Sequence, residues 1–179
     1  METTERIVNS YCNHVLGWFT IQNIKCPGQQ EIDILAIDPN VRGKKKRYHI
    51  ECSVSISQAY SKLTAKPFSE ELLKQRVPKA GQRMTIGYFA EKKFGKEAVI
   101  EKLHEYGFVP GNYTKVVVAA GWQTGVEEVA AADGIVLWSF YDILEQLGEK
   151  LGNSSVYYDD DTCRTIQLMM KAQKASGGL

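Results

Sequence analysis

Two short runs of β-branched residues limit what this chain can fold into: residues 114–120 (TKVVVAA) and 134–139 (GIVLWS). Neither alternates apolar with polar, the pattern of strands covered on both faces. A helical stretch, residues 124–132, joins them, with Thr124 expected as its N-cap, and a second helix is predicted over 140–151. Strand, helix and strand at this spacing form a βαβ unit, whose two strands must be parallel neighbours. With 179 residues, 44% of them hydrophobic, the chain can bury one sizeable core. The expected class is α/β.

The first third reads differently. Ile7, Tyr11, His14 and Val15 recur at helical spacing over residues 3–15, and Gly17 ends the helix. Strands are predicted over 18–24, 31–37 and 48–55, with a Pro27-Gly28 turn and a loop through Arg42 and Arg47. This is a helix followed by an antiparallel meander. Beyond it, residues 67–74 form a short helix capped by Ser69, residues 78–92 give no clear pattern, and 96–106 form an amphipathic helix ended by Gly107. Residues 1–151 are expected as one domain, and 152–179 as a tail with a helix over 162–174.

The chemistry concentrates in EIDILAI (31–37) and YHIECSVS (48–55). Alternation puts Ile32, Ile34 and Ala36 on one face of the first, and Asp33, Leu35 and Ile37 on the other. A carboxylate among such neighbours is costly unless compensated. On the second strand Ile50, Cys52 and Val54 oppose His49, Glu51 and Ser53. If the hairpin is centred on Arg42, paired residue numbers total 84, and Asp33 faces Glu51. A slip of one residue would separate them. Opposed carboxylates repel, and one takes up a proton unless a cation lies between them. An all-oxygen site suits magnesium or manganese better than zinc. The bland alternative is a pair of solvated charges on an open sheet face.

Gly17-Trp18, Glu31-Ile32-Asp33-Ile34-Leu35-Ala36 and Ile50-Glu51-Cys52-Ser53 together resemble the PD-(D/E)xK nuclease superfamily. Residues 116–121 and 134–138 resemble the second half of Holliday-junction resolvases and modification-dependent restriction endonucleases. The resemblance covers roughly residues 1–150 and implies a restriction-endonuclease-like fold: a central mixed sheet, antiparallel meander plus parallel βαβ unit, flanked by helices. It also implies a metal-dependent nuclease acting on nucleic acid, DNA before RNA, with Mg2+ or Mn2+ as cofactor. Asp33 and Glu51 would be metal ligands, with the Cys52 carbonyl and Glu5 as further ones. Glu31 would stand at the edge. Ser53 holds the position of the motif Lys and cannot supply its charge. Gln58, Lys62 and Lys66 are the candidates to replace it. Without a replacement the chain would be a catalytically silent relative that binds nucleic acid or a partner protein, or a subunit needing another chain.

Other features weigh less. Lys44, Lys45, Lys46 and Arg47 in the hairpin loop suit phosphate contact, or a solvated turn. The net charge of +1 neither requires nor excludes nucleic acid. Cys12, Cys26, Cys52 and Cys163 lack the paired spacing of a zinc site and are expected as reduced thiols. His49 is expected to pack in the core. Trp122 is expected in the core or stacked on a base. The polar N-terminus has no signal-peptide pattern and no run is long enough to span a membrane, so the expected location is cytoplasmic and the expected partner nucleic acid, with a homodimer as an option.

Overall fold

A computed structural model describes residues 2–42, 46–55 and 62–177. Gln58, Lys44 and Lys45 lie outside them. Five strands form one sheet in the order β1-β2-β3-β4-β5: Phe19–Cys26, Gln30–Ile37, Arg47–Ser53, Tyr113–Ala119 and Ile135–Ser139. The first three form the expected antiparallel meander, and β3-β4-β5 run parallel. The fold is therefore α/β with a mixed sheet flanked by helices. Among the described residues no helix is long and apolar enough to cross a membrane.

The register of the β2-β3 hairpin is the one expected. Ile34 pairs with Ile50, Leu35 with His49, Ala36 with Tyr48 and Ile37 with Arg47. The ladder stops there, one pair short of Asp33 and Glu51. The β1-β2 ladder is interrupted at the same level: Gln22 pairs with Ile34 and Ile24 with Ile32, leaving Asn23 and Asp33 unpaired. Asn23 is left-handed, with φ 53°, and this kink breaks the alternation. Ile32 packs with Leu35, not with Ile34 and Ala36 as expected. The sheet is thus opened locally around Asp33.

Helix α1 (Thr3–His14) covers one face through Val8, Tyr11 and Cys12, together with α7 (Phe140–Gly152). The tail forms α8 (Asp161–Ala175), and its buried Cys163 joins that same core. All four cysteines are free thiols. Helix α6 (Val126–Ala132) starts at Gly125, φ 86°, with no side-chain cap, so Thr124 is not its N-cap as expected.

The other face carries the patternless middle. Helices α2 (Glu70–Leu73), α3 (Pro78–Arg83) and α4 (Ile86–Tyr88) lead into a π-helix, Phe89–Phe94, and then α5 (Glu97–Glu105). Phe89 and Phe94 are each 2% exposed and pack with Met84, Ile86 and Val117. Their five-residue separation fits the wider π turn, a geometry found often at functional sites. Gly95 closes it, because a Cβ there would stand 2.6 Å from the Ala90 carbonyl oxygen.

The contact between α7 and α8 depends on a second close approach. A Cβ on Gly152 would lie 2.8 Å from the Met170 Cβ, an atom tied to backbone that cannot swing aside. Gly152→Leu is expected to cost about 2 kcal/mol by overpacking, or roughly 4–8 °C in Tm for a domain of this size. Thermal unfolding by circular dichroism measures it, and an unchanged Tm would mean α8 does not bear on the core in solution.

Candidate functional site

The opened ladder leaves Asp33 with no backbone partner opposite, and its side chain takes over. The Cys52 N–H donates to Asp33 Oδ2 at 2.8 Å. Cys52 therefore enters the site through its amide. Glu51, fully buried on β3, has two neighbours. His49 Nε2 lies 2.7 Å from Oε1, and Lys93 Nζ lies 2.5 Å from Oε2. Lys93 also stands 3.5 Å from Asp33 Oδ1 and donates to the Glu31 carbonyl at 3.3 Å. One ammonium from the π-helix thus spans both carboxylates.

Burial is the main influence on these groups. It pushes Asp33 up to about 7, and the adjacent Glu51 charge adds to that, against the pull of Lys93 and the Cys52 amide. It pushes Glu51 up to about 7 as well, opposed chiefly by Lys93. The two act as one coupled pair, sharing protons across the neutral range. Burial opposes the charge on Lys93, but the two carboxylates outweigh it and hold the ammonium above its ordinary value. His49, wholly buried, is pushed down to about 3. It is neutral at physiological pH, so the hydrogen on Nε2 points at Glu51 and fixes that carboxylate's rotation. The imidazole is wedged edge-on against Phe94, with ring centroids 4.8 Å apart. His49 is in the core as expected, and it also orients the site.

A third acidic side chain reaches the rim. Burial raises the pKa of Glu5, and the charge of Asp33 adds to this. Its Oε2 accepts from the Glu2 N–H at 3.1 Å. With its amide turned to donate, the kinked Asn23 bridges Glu5 Oε2 at 3.2 Å and Glu31 Oε1 at 3.0 Å. Asn23 therefore ties the first helix to the edge of the site.

The structure brings together Asp33, Glu51 and the Cys52 amide, with Glu5 held at the rim by Asn23. Ser53 turns away: its hydroxyl contacts Met84 Sδ at 3.4 Å, in the core beneath the π-helix. Lys62 and Lys66 are exposed. Lys62 lies alongside Gly121, and no ion pair among the described residues joins either lysine to a carboxylate. The positive group beside the pair is Lys93, which sequence reasoning missed. Its one legible signal is a lysine set between two aromatics in FAEKKF.

Of the basic run, Arg47 is displaced from the site. Arg47 stands four residues before Glu51 on β3, roughly 13 Å away, and its guanidinium covers the Phe108 ring at 5.9 Å. Trp122 Nε1 donates to Glu127 at 2.8 Å, which fixes its ring against the surface.

The donor set suits a hard divalent cation. It offers the Asp33 and Glu51 carboxylates near the Glu31 carbonyl that Lys93 also meets, and Glu51 Oε2 is buried with the Lys93 ammonium as its neighbour. Among the described residues no group of three or more His, Cys, Asp and Glu is arranged to hold a metal. Magnesium characteristically needs only one or two carboxylates and keeps its waters.

No family model and no curated protein matches this chain. A crystal structure of a protein of unknown function, AF1548, is similar over 98% of this chain and 100% of that one, with 15% identity and a TM-score of 0.49.

The raised carboxyl pKa values have a stability consequence in metal-free protein. An acid whose folded pKa is raised contributes stability that is complete below its unfolded value, near 4, and lost as pH rises through about 7. His49, lowered, acts in the opposite sense: its contribution is present above 6.5 and lost as pH falls toward 3. Asp33→Asn removes only the first effect and keeps an oxygen for the Cys52 amide. In EDTA this variant is expected to melt above the parent at pH 8, with the gap closing at pH 4. A parent more stable at every pH would show that the Asp33 charge is net stabilising through Lys93.

Proposed function

We propose that this protein is a divalent-metal-dependent nuclease of the restriction-endonuclease-like kind, hydrolysing phosphodiester bonds in nucleic acid, DNA before RNA, in the cytoplasm. The observation that carries the reading is Lys93 spanning Asp33 and Glu51. It supplies the positive group that Ser53 lacks, from a helix packed on the sheet instead of from the motif strand.

Asp33 and Glu51 would hold the metal, Mg2+ or Mn2+, with the Cys52 carbonyl and Glu5 as the further oxygens within the same region. A cation bound there would lower the pKa of a water and offset negative charge developing on the phosphoryl oxygens. The protein's own groups have distinct tasks. His49 keeps Glu51 rotated toward the centre of the site. Lys93, held protonated by the two carboxylates, would present its charge to a phosphate oxygen at the site. Its fixed charge in a low-dielectric setting favours the more negative transition state over the ground state. The buried walls built by Phe94 and Ile32 keep that field from being screened.

Two variants test this reading. Lys93→Met is expected to lower Mg2+- or Mn2+-dependent cleavage of plasmid or oligonucleotide by roughly 100-fold or more, the usual size of such an electrostatic contribution. Ser53→Ala should leave the rate near that of the parent, since its hydroxyl faces Met84. Calorimetric titration with Mn2+ should show binding by the parent and none by Asp33→Ala. A parent that cleaves neither DNA nor RNA with either metal refutes the proposal.

A further inference from the structure

Lys92 and Lys93 are consecutive on the π-helix and point to different places. Lys93 reaches the carboxylates. Lys92 reaches a cleft of about 370 Å³ between α2, α3 and the start of α5. Four other cations line it: Lys74, Lys79, Arg83 and Lys96. Among the described residues Glu70 is the only carboxylate lining it. A cleft with five positive side chains and one negative is unusual in a protein with a net charge of +1.

Two further observations bear on what the cleft takes. The first is the placing of Glu70. Its Oε1 lies 2.7 Å from Lys92 Nζ, and Lys92, Lys74 and Lys96 all depress its pKa. Several cations thus converge on one exposed anionic group. Lys92 also sits 5.7 Å from the Phe68 ring, which limits its freedom to turn toward solvent. The second is continuity with the carboxylate site. Gln30 lines the cleft, and the next residue, Glu31, offers its carbonyl to Lys93. Asp33 comes three residues after Gln30 on β2, roughly 10 Å along the strand. A polyanion in the cleft would lead to the carboxylates within a few backbone units.

We propose that this cleft binds the phosphodiester backbone of the nucleic-acid strand, with phosphate oxygens on Lys92 and its neighbours in place of the Glu70 carboxylate. The substrate class rests on the nuclease reading above. The cleft is linked to the carboxylates through β2, which carries Gln30 and Asp33, and through consecutive Lys92 and Lys93, whereas the Arg47 guanidinium lies over Phe108. Phosphate contacts of this kind position a strand without reading its sequence.

Binding separates this proposal from the nuclease reading, because it needs no cleavage. Fluorescein-labelled single- and double-stranded oligonucleotides of several sequences are titrated with the full chain in EDTA, over a range of salt. Lys74→Ala/Lys79→Ala/Arg83→Ala is expected to weaken binding tenfold or more at low salt. It should also reduce the slope of log K against log salt by about 2–3, near the 0.7–0.9 expected per lost phosphate contact. All three side chains are exposed, so the melting temperature should hold. Glu70→Gln, in a protein with the cleft otherwise intact, should tighten binding severalfold and equally for all sequences. Oligonucleotide binding that fails to respond to both the triple variant and Glu70→Gln overturns the cleft, as does a parent that binds neither probe. Metal-dependent cleavage with an unresponsive cleft would leave the nuclease reading standing alone. Cleft-dependent binding without cleavage would do the reverse.

Discussion

Two carboxylates and one ammonium meet out of water at the point where the hairpin ladder gives way. Each would be expensive alone, since an unpaired buried charge costs several kcal/mol. Together they compensate one another, and the arrangement constrains everything near it. Asp33 can accept the Cys52 amide only because no strand residue does. Glu51 can stay buried only because His49 and Lys93 hold its two oxygens. Lys93 reaches them only because the π turn sets Phe89 and Phe94 into the core on either side of it. The Asn23 kink belongs to the same arrangement: it lifts β1 from β2 at Asp33 and hands its amide to Glu5 and Glu31.

Ion pairs of this kind are weak evidence for stability, since desolvation offsets much of their attraction. Residues chosen only to hold a sheet together would be apolar, as the buried Ile34 and Val116 are on neighbouring stretches of the same sheet. Keeping four ionisable side chains at one buried point, with their pKa values pushed toward neutrality or pinned apart, is the pattern expected where chemistry is done. The neutral His49 adds to this. Its Nδ1 has no partner among the described residues, a cost that the bond from Nε2 to Glu51 must offset.

Much of this was legible in the chain. The β-branched runs pointed to two parallel strands. TKVVVAA is buried over residues 116–119 as expected, but GIVLWS forms the sheet's edge strand, with Val136 exposed. The hairpin register came from one number, the loop centre, because a side-chain period of two allows no near miss. Lys93 was not legible, for a physical reason. It contacts residues 60 and 42 positions earlier, and the segment carrying it is a series of very short helices ending in a π turn. Such a segment has no 3.6-residue period to detect, so the side chain's direction could not be read. The breakdown of alternation at Ile32 was hidden likewise: it lies beside the interrupted ladder, where Asn23 of the neighbouring strand is left-handed.

Placing the cation on a helix has a mechanical consequence that a strand position would not. A lysine at position 53 would be fixed to Glu51 by two residues of the same strand. Lys93 is fixed only by how the π-helix packs on the sheet. Removing one residue from that turn would make it an ordinary α turn and rotate the remainder of the helix by about 100°, carrying the ammonium off both carboxylates. The buried aromatics therefore act on the site as much as the charged groups do. The same turn sends Lys92 to Glu70 in the basic cleft. One rigid segment thus holds a positive charge at the carboxylates and another at the cleft, with their separation set by consecutive residues of a single backbone.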